Sequence, residues 1–266
     1  MSDSAVGVIG GSGFYAFLED TQQVEITTPF GPPSAPVVLG EIDGRRVAFL
    51  PRHGVDHELP PHRIPYRANL WALRACGVRQ VLAPCAVGSL QPELGPGALV
   101  IPDQLVDRTS GRAQTFFDSG AVHIAFDEPY CSSGRRVVAG LASASGWDVT
   151  DGGTMVVVEG PRFSTRAESQ SYAAQGWSVI NMTGHPEAVL ARELELCYTA
   201  VALVTDLDAG LNGAESVSQE QVFRVFADNT TRLRELLLAA VSALPLVRTC
   251  ACGSALEGIA HDLVLP

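Results

Sequence analysis

Six short apolar runs in this 266-residue chain each end in a cluster of Gly, Ser, Thr, Arg, His or Asp, with helical patterns between several of them. Such alternation points to an α/β fold, because a strand covered by helices on both faces reads as an unbroken apolar run. Ligands of open α/β sheets gather outside the carboxyl ends of the strands, so six decorated strand ends predict one site. The run at 6–9 leads into Gly10-Gly11-Ser12-Gly13, that at 47–50 into Pro51-Arg52-His53-Gly54, and that at 81–83 into Pro84-Cys85-Ala86-Val87-Gly88-Ser89. The run at 155–158 leads into Glu159-Gly160-Pro161-Arg162-Phe163-Ser164, and that at 179–180 into Asn181-Met182-Thr183-Gly184-His185. The last, at 198–205, closes on Asp206 and Asp208.

Helix signals fill the intervals. Pro65 at a first helical position and Gly77 as a stop frame a helix over 65–76. Thr165-x-x-Glu168 reads as a capping box, with Gly176 ending that helix. Pro186 opens a helix over 187–196, and an amphipathic helix over 219–244 closes the fold. Residues 103–153 read as loops around one or two strands and a helix near 134–144. No charge-dense or low-complexity linker divides the chain, so residues 1–245 are expected to form a single domain. Residues 246–266, with Cys250-Ala-Cys252, are expected to form a loosely ordered tail.

Composition excludes several chemistries. All 18 basic residues are arginine, which removes a Walker-type phosphate loop, a Schiff-base lysine and pyridoxal phosphate chemistry. A net charge of −11 argues against nucleic acid, which needs a basic face. No apolar stretch approaches ~18 residues, so no membrane span is expected. The start MSDSAVGVIGG has neither a basic region nor a cleavage site, so a cytoplasmic location is expected. The six cysteines read as free thiols, and the histidines lack metal-ligand spacing, so no metal is expected.

The strand-end clusters divide into an anionic and a cationic side. Residues two apart on a strand face the same way, so Asp206 and Asp208 can converge on one ligand. Carboxylates only accept hydrogen bonds, and such a pair suits an N–H-rich heterocycle; the same stretch, Asp-Leu-Asp-Ala-Gly, is also ordinary turn chemistry. Opposite in character, the glycines at 10–13 let backbone approach a ligand, and Ser12 can donate to an oxyanion. Arginine's planar fork suits phosphate, placing Arg52 there with His53 as a further donor. Thr183 precedes a helix start, where free N–H groups favour an anion. Gly11-x-Gly13-x-x-Ala16 also matches a dinucleotide-binding fingerprint, which would make the chain an oxidoreductase, but the long helix that motif needs is missing.

The strings VIGGSGFY (8–15), PRHG (51–54), AVGSL (86–90), VEGPRFSTRAES (158–169), NMTGHPEAVLARELELCY (181–198) and VTDLDAG (204–210) resemble the trimeric purine nucleoside phosphorylase and methylthioadenosine phosphorylase family. The resemblance implies a three-layer α/β fold with a central mixed, partly barrel-like sheet flanked by helices. It implies reversible phosphorolysis of 5′-methylthioadenosine to adenine and 5-methylthioribose 1-phosphate by a homotrimer. Inorganic phosphate is then a co-substrate and no cofactor is used. By the same resemblance phosphate is held by Gly10, Ser12, Arg52, His53, Cys85, Ala86 and Thr183. Met182 packs under the ribose, while Phe163, Ser164, Asp206, Leu207 and Asp208 surround the base. Asp206 and Asp208 are the catalytic pair. Gln219, Val222 and Phe223 line the 5′ pocket, and His123 reaches the 5′ end of a neighbouring subunit's sugar. Cys85 stands where relatives often carry a hydroxyl, and Gln219 where that pocket is usually apolar. The alternative within the family is a preference for 6-oxopurine nucleosides or methylthioinosine.

Overall fold

A computed structural model describes residues 5–10, 21–209 and 217–266. Its centre is β5 (Val78–Ser89), which runs parallel to β11 (Cys197–Leu207) along nearly its whole length. On its other edge β5 changes partner. Its first half pairs with β1 (Ala5–Gly10), up to Val8 beside Leu82, and its end pairs antiparallel with β10 (Val179–Asn181), where Ile180 faces Gly88. Between those pairings the edge at Pro84–Val87 has neither neighbour, and the sheet opens.

The sheet spreads from this junction. One wing continues from β1 through β4 (Arg45–Pro51) and β3 (Val37–Ile42) to β2 (Gln22–Val24). The other continues from β10 through β9 (Thr154–Val158) to β7 (Gln104–Arg108). Beyond β11 lie β6 (Leu99–Ile101) and β8 (Val149–Asp151). Parallel and antiparallel pairs are mixed, and the split at β5 makes the sheet curl as a partial barrel.

Side chains of the central strands alternate between two cores, as the two-residue period of a strand requires. Ile9, Val81, Ala83, Ala200, Ala202 and Val204 enter one. Val6, Val8, Leu82, Val201 and Leu203 enter the other. Helices α1 (Tyr66–Ala75) and α4 (Gly184–Glu193) cover the first face. The second is covered by α2 (Ser132–Ala144) and the carboxyl half of α5 (Gln219–Ala243). The result is the expected three-layer α/β architecture, and no described helix is long and apolar enough to cross a membrane.

Local signals place most boundaries. Pro65 is the N-cap of α1, and Gly77 follows it at φ +84°. In α3 (Arg166–Ala174) the capping box is complete: Glu168 N–H donates to Thr165 Oγ1 at 3.2 Å, and Thr165 N–H to the Glu168 carboxylate at 2.7 Å. Helix α4 departs from expectation, starting at Gly184 with His185 non-helical (φ −120°, ψ 133°) and ending at Glu193. Strand β5 is far longer than the apolar run at 81–83, because Gln80 and the residues at 84–89 continue its ladder with β11.

The carboxyl-terminal segment is not loose. Cys252 and Leu256 are buried, Leu263 and Leu265 pack against the first core, and Arg248 donates to the Glu195 carbonyl at 2.6 Å. Its apolar residues are too widely spaced to show a period, but they find gaps between finished elements.

Candidate active site

The opening in the sheet is a cavity of about 790 Å³. Its floor is the unpaired edge of β5, Pro84 through Val87, with Gly88 where the pairing with β10 resumes. Pro84 fits there because no neighbouring strand requires its missing N–H, and its carbonyl instead accepts from Arg52 Nη1 at 3.2 Å. The amino half of α5 forms one wall with Gln219, Val222, Phe223, Phe226, Ala227 and Thr230, a stripe at helical spacing.

At one end stand the two acidic side chains, Asp206 4% and Asp208 3% exposed. A bulge in β11 between Val204 and Asp206 sets Asp206 opposite Gly88. A Cβ on Gly88 would lie 3.0 Å from Asp206 Oδ1 and 3.3 Å from Asp208 Cβ, so glycine there leaves room for both. Thr205 Oγ1 donates to Asp206 Oδ2 at 2.8 Å, and Ser169 Oγ, from α3, donates to Asp208 Oδ2 at 2.6 Å. Burial pushes the Asp206 carboxyl up to about 6, against the Thr205 hydrogen bond and aided by the Asp208 charge. Burial also raises Asp208, opposed by Ser169, the Ala209 backbone and Ser164. Asp206 thus has the proton affinity of a group that exchanges its proton near neutrality.

The other end is polar but not strongly cationic. Arg52, 2% exposed, gives both Nε and Nη2 to the carboxylate of the fully buried Glu187, at 2.8 and 2.9 Å. Nη2 also donates to the Ile9 carbonyl at 2.9 Å. With the Pro84 bond, four of its roughly five N–H donors are spent on protein. Arg52 therefore locks the 51–54 turn to α4 and β1, with one donor left. His53 also differs from expectation. Its Nδ1 lies 2.8 Å from the Leu59 carbonyl, which can only accept, so Nδ1 carries the proton. Burial lowers its pKa to about 4 despite that bond, with Arg52 and His57 adding to the effect. The neutral ring offers a lone pair at Nε2, which suits a protonated phosphate oxygen rather than a bare one. His53 stacks on His57 (4.3 Å between centroids), whose ring meets Phe223 edge-on.

Thr183 is the N-cap of α4, but its hydroxyl makes no cap bond. The N–H groups of Thr183 and Gly184 are instead taken by Asn181 Oδ1 at 3.3 and 3.2 Å. Two of the N–H groups expected to be free at this helix start are thus already occupied, and the Thr183 hydroxyl is left to donate. Burial raises the Cys85 thiol to about 11 against the neighbouring Arg52 charge, so it is neutral beside the β5 backbone.

Together the cavity offers a proton-holding carboxyl at one end, the Thr183 hydroxyl and one Arg52 N–H at the other, and apolar walls between. A family description, the phosphorylase superfamily, matches residues 5–242. The chain belongs to that superfamily. A purine nucleoside phosphorylase of Streptomyces coelicolor is 60% identical, over 98% of this chain and 97% of its own. An S-methyl-5′-thioadenosine phosphorylase of Mycobacterium tuberculosis is also 60% identical, over 92% and 91%. Among solved structures, a Schistosoma mansoni methylthioadenosine phosphorylase in complex with adenine superposes with TM-score 0.86 at 38% identity, covering 90% of this chain and 91% of that one. Membership in this phosphorylase family sets aside the oxidoreductase reading, whose Gly11-x-Gly13-x-x-Ala16 fingerprint lies outside the described residues.

Of the residues expected at the phosphorylase site, Arg52, His53, Cys85, Ala86, Phe163, Ser164, Met182, Thr183, Asp206, Asp208, Gln219, Val222 and Phe223 line the cavity. Ser12 lies outside the described residues. Gly10 ends β1 behind the cavity, where its carbonyl accepts from Arg52 N–H at 2.7 Å. Leu207 pairs with Ser89 in the sheet, and His123 is exposed in a loop; neither is among the described lining residues. Several functional positions escaped the sequence reading. His57 and Glu58 line the wall. Arg112 pins two site loops by donating to the carbonyls of Glu159 (2.7 Å), Met182 (2.9 Å) and His185 (2.7 Å). Nothing in a lone arginine within a loop-rich stretch announces that task.

Proposed function

We propose that this phosphorylase cleaves 5′-methylthioadenosine with inorganic phosphate, giving adenine and 5-methylthioribose 1-phosphate. The observation that carries the reading is the buried Asp206–Asp208 pair at one end of a cavity whose other end holds Arg52, His53 and Thr183. Phosphate sits by Thr183, Cys85, Ala86, His53, the remaining donor of Arg52, Gly10 and Ser12. Its oxygen forms the bond to C1′ as the C1′–N9 bond breaks and its electron pair passes to the purine. Positive charge on the sugar in the transition state is stabilised by the bound phosphate. Protonated Asp206 donates to N7 of the leaving base, and Asp208 accepts from its 6-amino group. Ser164 and Phe163 flank the base, Met182 lies under the ribose, and Gln219, Val222 and Phe223 receive the 5′ substituent.

A 6-oxopurine would set its oxygen against the Asp208 carboxylate, and an unpaired buried acceptor costs about 1–3 kcal/mol. Two amides line the cavity: Gln219 on the α5 wall, and Asn181, whose oxygen accepts from the Thr183 and Gly184 N–H groups at the start of α4. One observation supports the second reading, a 6-oxopurine nucleoside phosphorylase: the Streptomyces relative at 60% identity bears the name purine nucleoside phosphorylase.

We further infer a homotrimer in which His123, exposed in its own subunit, completes a neighbour's 5′ pocket. The enzyme then acts in the cytoplasm, in purine and methionine salvage. Release of adenine from methylthioadenosine, measured with and without phosphate and beside hypoxanthine release from inosine, tests the reading. Phosphate-independent release or faster hypoxanthine release overturns it, and a fully active monomer overturns the trimer.

A further inference from the structure

Far from the cavity, four sulfurs from three parts of the chain meet. Cys131 is the N-cap of α2, Cys197 opens β11, and Cys250 and Cys252 sit in the carboxyl-terminal segment, where a 3₁₀ turn spans Ala251–Ser254. All four Sγ atoms lie within 4.8 Å of one another. Cys250 Sγ is 3.7 Å from Cys131 Sγ and 3.3 Å from Cys197 Sγ, and all four cysteines are free thiols. Cys131, Cys197 and Cys252 are 2%, 3% and 4% exposed, and Cys250 is half-buried, which leaves a route in for an ion.

We propose that Cys131, Cys197, Cys250 and Cys252 bind one zinc ion as a structural tetrathiolate site. Zinc–sulfur bonds of about 2.3 Å in a tetrahedron put the sulfurs about 3.8 Å apart, close to the spacing seen here before any ion draws them in. The donor set contains sulfur alone, which selects a soft tetrahedral cation over calcium or magnesium. Four thiols would otherwise fill this small buried cluster with weak donors and weak acceptors. The ion leaves the cluster with net negative charge, and Cys131 places that charge at the amino end of the thirteen-residue α2, where the helix dipole favours it. The expectation of no metal rested on histidine spacing. Cysteines 53 and 66 positions apart, as Cys197 stands from Cys250 and from Cys131, carry no spacing signal until the fold closes. Zinc here clamps the carboxyl-terminal segment onto the first residue of β11, the strand whose far end bears Asp206.

The test is metal analysis of the full-length protein purified under reducing conditions without chelator. About one zinc per chain is expected, and cobalt exchange should produce thiolate-to-cobalt charge-transfer absorption. The Cys250→Ser/Cys252→Ser variant should lose the zinc. A strong chelator should lower the melting temperature of the parent protein to that of the variant and leave the variant unmoved. If the double variant fails to fold, Cys252→Ser alone and the zinc content of the parent still decide. Less than a tenth of an equivalent of zinc after supplementation overturns the proposal, as does iron in its place. An intact mass that reveals disulfides among these four cysteines in freshly prepared protein overturns it too.

Discussion

Asp206→Asn removes a burial cost and a proton at once, and the two effects have different pH signatures. In the folded chain the Asp206 carboxyl titrates at about 6, against 3.8 for its ordinary value. Below pH 3.8 it is protonated in both folded and unfolded chains and contributes nothing to the pH dependence. As pH rises from 3.8 the unfolded chain gives up its proton first, so stability falls until pH about 6 and is level beyond. At about 1.4 kcal/mol per tenfold change in proton affinity, the interval amounts to about 3 kcal/mol. Asparagine has the same shape, can still accept from Thr205 Oγ1, and never ionises.

The variant should therefore exceed the parent in stability by about 3 kcal/mol at pH 8, with the gap closing towards pH 4. Urea unfolding of both proteins at several pH values, in phosphate-free buffer, reads this directly. A gap that does not vary with pH would refute the desolvation of this carboxyl. In the same proteins, turnover of the parent should fall as pH rises above about 6, where the proton is lost. In the variant that limb should vanish and turnover should drop, with the KM for phosphate unchanged. Full turnover in the variant would end the acid role of Asp206.

Other substitutions probe the scaffold. Glu187→Ala strands the Arg52 guanidinium without its buried partner and takes an acceptor from Tyr198 Oη, 2.6 Å away. A loss of about 3–5 kcal/mol is expected in denaturant titrations, and a loss under 1 kcal/mol would show the pair to be replaceable. Gly88→Ala puts a methyl 3.0 Å from Asp206 Oδ1 and 3.1 Å from Ile180 Cγ2. It should cut kcat/KM by on the order of a hundredfold through misplaced carboxylates, and unchanged kinetics would mean the strand yields. Ser169→Ala deletes the 2.6 Å bond to Asp208. It should raise the Asp208 carboxyl further and weaken adenine binding by about 1–3 kcal/mol in calorimetry, whereas unaltered affinity would detach Asp208 from the base.

What could be read along the chain is what neighbours in sequence decide. The Thr165–Glu168 box, Pro65 before α1 and the left-handed Gly77 are local devices, and each stands where its residues point. The strand-end clusters were legible because strands of one sheet deliver their carboxyl ends to one edge, so chemistry repeated at those ends must converge. Partner choice was not legible. Arg52 carries every feature of a phosphate ligand, yet most of its donors go to Glu187, 135 positions away, and to backbone carbonyls. Whether His53 donates or accepts is set by the Leu59 carbonyl, through a turn that no residue type encodes. The same limit hid the four-cysteine cluster. Periodicity and capping report on backbone within a few residues, whereas a buried polar group is committed by whatever element closes over it. Residue types alone therefore name candidates for a site, and their hydrogen-bond accounts decide which of them still have an atom to offer a ligand.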